Sequence, residues 1–519
     1  MTTLKRILTG ILVLLGLALF APSVYAQDEG TFVYVNDNNY SPPANNHVSG
    51  FRVLTVPNGA LTPIPGSPFL TGGTGFGAAF ISPHRIAAAT LHRNFLYVAN
   101  QGSNDISAFR IDTDTGALTA LFDSPYATGG DDTVGMSLAA TANGKFLYAA
   151  NFSSGDISEF KIRYDGGLTP VTGSISTSLF PLGGNPGGSK ASPNSKFLGV
   201  ALLNANRVAM LRIGPTGTLT SAPGSPVDAG SPGFASDVDI SCKSDLLFDT
   251  KGGGGGTTVA VFKIDAATGA LTPITGSPFN FPTSGSDSET GLLTPDNRHL
   301  FAADPFGGTI TSLDVAAAGT LTLETDAPSG PSPFADPGAG VSPLPTGMGT
   351  NGDGTLLYAV NSFGNSVSGF QIDRDGGLSA VVGSPFSTGS PAGFPFGLNV
   401  FPAHKGEGEG DGIDDRGHKD HIDFDADPKC ATTRGDMDFE DHSGTKMEGG
   451  VDSYSVVGNT ATMTGTGALA DGTPVRYTAV VTGNQPVIGA NLFAISWVTS
   501  TGSIFQTKVA LTNGYFAVR

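Results

Sequence analysis

The 519-residue chain is poor in cysteine, in basic residues and in long apolar runs, and each scarcity excludes something. It has two cysteines, Cys242 and Cys430, so one bridge is the most it can form within itself. In an oxidising compartment that bridge would close a long loop and stabilise the fold by roughly 5 kcal/mol on the chain-entropy model. Two separate thiols are the alternative the sequence leaves open. Lys and Arg number 27 against 45 Asp and Glu, a formal net charge of -18. A chain this acidic argues against nucleic acid or an anionic membrane surface as a partner. Only one long apolar stretch occurs, Ile7 to Phe20, and it is too short to favour a membrane-spanning helix. Lys5 and Arg6 precede it, and the small-residue pattern Val24-Tyr25-Ala26 follows it before Gln27. Residues 1–26 therefore read as a secretory signal peptide. No cysteine follows the cleavage point closely and no twin-arginine pair precedes it. The expectation is an exported, soluble protein, periplasmic or extracellular, without a membrane anchor.

What the chain has in abundance is turn residues. Gly (74) and Pro (35) make up more than a fifth of it, yet 39% of the residues are hydrophobic, enough for a core. The glycines also recur periodically, which points to turn-rich all-β structure rather than disorder.

The period is the main signal. A Gly-x-Leu-Thr-type turn places its leucine at Leu61, Leu118, Leu168, Leu219, Leu271, Leu321 and Leu378. A strand ending in Ile or Val precedes each one: VSGFRV, ISAFRI, ISEFKI, VAMLRI, VAVFKI, ITSLDV and VSGFQI. Ahead of those lie apolar strands such as FVYVN, FLYVAN, FLYAAN, FLGVAL, LLFDTK, LFAAD and LLYAVN. Units of about fifty residues suit four short strands with their turns, and radial repetition of four-stranded sheets is a propeller. The sequence predicts seven blades over residues 31–402. It also predicts how the ring closes: the first unit lacks an inner strand, and GFPFGLNVFP at residues 393–402 supplies one from the far end.

Two recurring polar positions read as scaffold. The third strand carries Arg52, Arg110, Lys161, Arg212, Lys263, Asp314 and Gln371 at its fifth position, a solvated outer edge that also resists aggregation. Asp37, Asn100, Asn151, Asp304 and Asn361 end the second strands, where Asn and Asp start turns. Leu202 and Lys251 break that pattern.

The succession LYVAN, ISAFRID, TGALT, GSPF resembles the lactonase-type seven-bladed propellers, the 6-phosphogluconolactonase-like family, and is similar to exported propellers with Tyr-Val-Thr-Asn repeats. The resemblance implies catalysis by His and Arg near a channel mouth, on a Pro-Arg-His-like stretch. The nearest text here is Ser82-Pro83-His84-Arg85, in a different order and expected on the loop leaving an inner strand, with His92-Arg93 following. His84 and Arg85 are the candidate catalytic pair if the chain is a lactonase, with Asp131 or Asp132 as an acidic neighbour at the same mouth. His47 and His299 are expected singly in turns.

Residues 403–421 hold the Gly- and Asp-rich run HKGEGEGDGIDDRGHKDH, which lacks an apolar period and reads as a linker. Residues 422–519 alternate as strands and are expected to form a small β-sandwich or barrel that resembles post-COAP-type modules, on text such as VVGNTATMTGTG. His418, His421, His442 and Cys430 invite a metal reading, and Asp423, Asp425 and Asp427 mimic half a calcium loop. Pro428 and Arg434 stand where that loop needs Gly and Glu, and the aspartates alternate with Ile422, Phe424 and Ala426 like the wet face of a strand. No metal or cofactor is therefore expected. The function expected is a non-enzymatic binding or interaction propeller, monomeric by default, taking a small molecule, glycan or protein at the channel mouth. The alternative is a lactonase-like hydrolase acting on a sugar lactone.

Overall fold

The computed structural model describes residues 31–518 apart from connecting stretches, among them 39–44, 76–85, 131–135, 176–183, 282–287, 339–344, 402–405 and 427–434. The expected signal peptide lies outside the described residues. Seven antiparallel sheets of four or five strands form the blades, and a closed eight-stranded barrel follows.

In blade 2 the inner strand is Ile86–Ala89, the second Phe95–Asn100 and the third Asp105–Ile111, with the outer strand at Leu118–Ala120 and Tyr126–Ala127. The second strands are apolar without alternation because both faces are covered: all of Phe95–Asn100 is buried. Seven apolar clusters fill the spaces between successive blades. One joins Tyr34 and Val48 of blade 1 to Leu96 and Phe109 of blade 2, and another joins Tyr358 and Val360 of blade 7 to Val33 and Val35 of blade 1. The ring closes as the sequence predicts. Gly397–Phe401 pairs antiparallel with Phe32–Asn36, Phe32 opposite Phe401. The third-strand edge is also as expected: Arg110, Lys161, Arg212, Lys263 and Gln371 are exposed, and Arg110 lies 5.6 Å over the Phe95 ring.

The repeated text bolts blade to blade. The second-strand tyrosines are fully buried, and each donates its hydroxyl to a turn carbonyl of the next blade: Tyr34 to Gly116 O (2.7 Å), Tyr97 to Gly166 O (2.8 Å), Tyr148 to Gly217 O (2.9 Å) and Tyr358 to Gly59 O (2.8 Å). The last of these spans the closure. The recurring Ser-Pro pair acts within a blade, where the Ser67, Ser124, Ser225, Ser277, Ser332 and Ser384 hydroxyls each accept a third-strand N–H. Tyr97→Phe leaves Gly166 O buried without its donor, so a loss of about 1 kcal/mol is expected in urea denaturation. A midpoint equal to the parent's would show that the bolt is idle.

The C-terminal domain is a barrel, and it begins earlier than the sequence suggests. Gly406–Asp414, expected as linker, is its first strand, pairing with Lys419–Ala426 on one side and Ile504–Val518 on the other. Glycine occupies the inward slot: a Cβ on Gly408 would fall 2.5 Å from Phe424 and 2.6 Å from Phe516. Hence GEGEGDG is a period-two strand pattern whose buried positions show no apolar residue. The interior is filled by Phe424, Phe439, Met463, Phe493 and Trp497 among others. Asp423 is half-buried between fully or nearly fully buried Ile422 and Phe424, as the strand reading required.

Candidate functional site in the channel wall

Seven inner strands surround the axis of the ring, and small hydroxyls link several of them. Ser137 Oγ of blade 3 lies 2.8 Å from Ser189 Oγ of blade 4, Ser236 Oγ donates to Glu289 O (3.0 Å), and Thr290 Oγ1 donates to Thr346 O. At the end where second strands hand over to third strands, the side-chain N–H groups of the recurring asparagines are also engaged. Asn100 Nδ2 donates to Asp105 (2.6 Å) and Ser107 (2.7 Å), and Asn151 Nδ2 to Asp156 (2.6 Å) and Ser158 (2.8 Å). Repeated polar groups hold the frame.

Blade 5 departs from it. Its second strand, Leu246–Gly252, is entirely buried and carries Asp249 where blade 2 has Val98, and Lys251 where blade 2 has Asn100. Both side chains are fully buried. Burial raises the Asp249 carboxyl well above the usual carboxylate range, opposed by Lys251 and reinforced by Asp237. Burial also lowers the Lys251 ammonium, opposed by Asp249 and Asp228. Lys251 Nζ donates to Asn206 Oδ1 of blade 4, while neither Asp249 oxygen receives a well-aligned hydrogen bond. Opposed shifts of a buried acid and amine are found both at functional sites and in structural charge networks.

The inner strand beside this pair, Phe234–Ile240, is bulged between Ala235 and Asp237, and a bulge re-aims side chains. Asp237 accepts N–H bonds from Val238 (2.9 Å) and from Gly291 of blade 6 (3.2 Å). Gly188 of blade 4 makes room for it: a Cβ there would fall 1.9 Å from Asp237 Oδ1. Asp239 accepts from Ile240 (2.8 Å) and from Leu293 of blade 6 (2.9 Å), and Lys190 Nζ of blade 4 lies 3.2 Å from it. Two carboxylates thus tie the inner strands of blades 4, 5 and 6 together. Sequence reasoning missed this group. Its one visible trace was Lys251, out of pattern in a repeat.

The residues singled out for lactone chemistry, His84, Arg85, Asp131 and Asp132, lie outside the described residues, as does Cys430. Blade 2's inner strand starts at Ile86, so His84 and Arg85 precede that strand rather than leave it. His47 and His299 are on strands, Asn45–Val53 and His299–Asp304, not in turns. Burial lowers the His47 imidazole, and His299 Nδ1 lies 3.1 Å from Asp314, its cross-strand neighbour. Cys242 is disulfide-bonded, and no described cysteine is free. In the barrel, His421 pairs with Asp411 (3.1 Å) and not with His418, whose ring stacks on His442 at 3.6 Å between centroids.

Solved structures share the propeller. A putative 6-phosphogluconolactonase from Bacteroides fragilis is 20% identical and superposes with a TM-score of 0.56, covering 73% of this chain and 100% of its own. One from Bacteroides uniformis gives 18% and 0.56, covering 72% and 100%. A periplasmic gluconolactonase from Pseudomonas aeruginosa gives 17% and 0.54, covering 72% and 99%. What is shared is the fold. The chain is an all-β protein, a seven-bladed propeller with a closed eight-stranded barrel appended. No family model matches it, and neither does any curated protein.

Proposed function

We propose that the chain is an exported propeller that binds a ligand, a small polar molecule or glycan, at one end of its channel without transforming it. One observation carries this reading: the carboxylates of the channel wall, Asp237 and Asp239, are committed to backbone amides and to Lys190. Groups so engaged stiffen a frame and are not available to activate water. The inner strands of blades 2–7 all start at the end where second strands hand over to third strands. The sequence just ahead of those starts differs between blades, as binding loops on a rigid scaffold do. A disulfide-bonded Cys242 fits an oxidising compartment, and its proposed partner is Cys430, the chain's other cysteine.

A second reading is lactone hydrolysis, favoured by the fold shared with the putative 6-phosphogluconolactonase of Bacteroides fragilis and the periplasmic gluconolactonase of Pseudomonas aeruginosa. The purified chain from Gln27 separates the two. Incubated at micromolar concentration with gluconolactone or its 6-phosphate, it is expected to give no hydrolysis above the spontaneous rate, while sugars and sugar acids in a thermal-shift screen raise its melting temperature. An excess rate that disappears in His84→Ala would replace the binding reading with the hydrolase.

A further inference from the structure

Two of the barrel's hairpin turns are built on the same plan. In Asp414–His418, Asp414 Oδ1 accepts the N–H groups of Arg416 (2.9 Å) and His418 (2.7 Å), and Gly417 takes the left-handed conformation at φ 85°. In Asp441–Thr445, Asp441 Oδ1 accepts from Ser443 and Thr445 (both 2.8 Å), with Gly444 at φ 82°. The strands between them pair His421 opposite Glu440, so both turns project from one end of the barrel, side by side. This brings His418, last residue of the first turn, against His442, second residue of the other.

The rings are ordered by carboxylates. His418 Nδ1 lies 3.4 Å from Asp414 Oδ2, whose side chain is 6% exposed. His442 donates its backbone N–H to Asp420 Oδ1 (3.2 Å), and its Nδ1 lies 3.9 Å from the same oxygen. Each imidazole thus has a near-buried carboxylate near its Nδ1, and the two rings stack at 3.6 Å between centroids. Asp420, beside His442 Nδ1, is placed as the acid that orients a metal-ligating histidine, while Asp414 is itself offered as a ligand. Asp414, His418 and His442 offer ligand atoms that all lie within 4.8 Å of one another. Tetrahedral bonds of about 2.1 Å put ligand atoms about 3.4 Å apart. Closing the difference asks for a small rotation of the two histidines, whose side chains are 42% and 38% exposed.

We propose that Asp414, His418 and His442 form a binding site for a divalent transition-metal ion at the free turns of the barrel. Two imidazoles and one carboxylate suit Zn2+, Ni2+ or Cu2+ and not Ca2+, which takes oxygen ligands. Three protein ligands leave one position of a tetrahedral ion for water or for a donor from a partner. His421, held by Asp411, is not part of the set.

The test uses the untagged chain from Gln27, stripped with a chelator and titrated with Zn2+ and, separately, Ca2+ in a calorimeter. One Zn2+ per chain is expected, with no saturable Ca2+ binding, and a rise in melting temperature at saturating Zn2+. His442→Ala, at an exposed turn, is expected to weaken Zn2+ at least tenfold. Asp414→Asn, which keeps an acceptor for both turn amides, is expected to weaken it about tenfold, since carboxylate orientation and ligation carry that order of affinity. His421→Ala should bind like the parent. Absence of saturable Zn2+ binding, or His442→Ala binding as tightly as the parent, overturns the proposal. Equal losses in His421→Ala and His442→Ala also overturn it, since they would mean non-specific capture by surface imidazoles.

Discussion

Asp249→Val and Lys251→Asn are each expected to destabilise the propeller by about 3–5 kcal/mol, and together by much less than the sum. The pair is fully buried, so each single change strands the other partner. Asp249→Val leaves the Lys251 ammonium in blade 5 with Asn206 as its hydrogen-bond acceptor. Lys251→Asn leaves the Asp249 carboxyl without the one cation that opposes its desolvation. The double change gives blade 5 the residues blade 2 has at these positions, Val98 and Asn100, and so returns an ordinary second strand. A buried ion pair replaced whole by groups of suitable shape is often neutral, whereas half a pair is costly. Trp497, the only tryptophan, sits in the barrel core, so its fluorescence follows the barrel while circular dichroism also follows the propeller. Urea midpoints of the four proteins give the coupling. Single changes costing under about 1 kcal/mol, or a double equal to the sum, would mean that Asp249 and Lys251 do not act as a unit.

The architecture was legible because a propeller repeats its constraints. A strand covered on both faces must be apolar throughout, and FLYVAN or LLYAVN says so at each turn of the ring. The missing first inner strand and the surplus GLNVF are one fact seen at two ends of the chain. What escaped notice depended on partners far apart in sequence. Asp237 is explained by Gly188 and Gly291, one in each neighbouring blade, and Asp239 by Lys190 and Leu293. No local window contains those pairs. The strand Gly406–Asp414 was hidden for another reason: its inward positions are glycines, Gly408 crowded by Phe424 and Phe516, Gly410 by Leu511 and Asn513, and Gly412 by Val509 and Ala510. The histidines show the same lesson. His418 and His421 are close in sequence but belong to a turn and a strand with separate acidic partners, Asp414 and Asp411. The hairpin arrangement chooses His442 instead.

The parent protein is expected to lose stability as pH rises from about 4 to about 8, and Asp37→Asn is expected to remove much of that slope. Asp37 ends the second strand of blade 1 with its side chain fully buried. Ser49 Oγ donates to one of its oxygens at 2.5 Å and the other has no partner. Burial raises its pKa from 3.8 to about 8, against the lowering effect of Ser49. Asp336, where Ser368 donates to one oxygen and the Gly338 N–H to the same oxygen, is raised by burial to about 6. The folded state therefore holds protons that the unfolded chain releases near 3.8. Where the folded state binds more protons, stability falls with rising pH, by about 1.4 kcal/mol per unit for each such group. Asp336 contributes between about 4 and 6, and Asp37 between about 4 and 8. Above that both are ionised in either state and the slope vanishes. Asparagine keeps an acceptor for Ser49 and cannot ionise, so the Asp37→Asn protein should match the parent near pH 4 and exceed it increasingly toward pH 8. Urea midpoints at pH 4.5, 6 and 8 decide it, as conditions chosen to bracket about that window. Parallel pH profiles for the two proteins would show that Asp37 is ionised at no cost, and that its buried oxygen finds a donor the fold does not display.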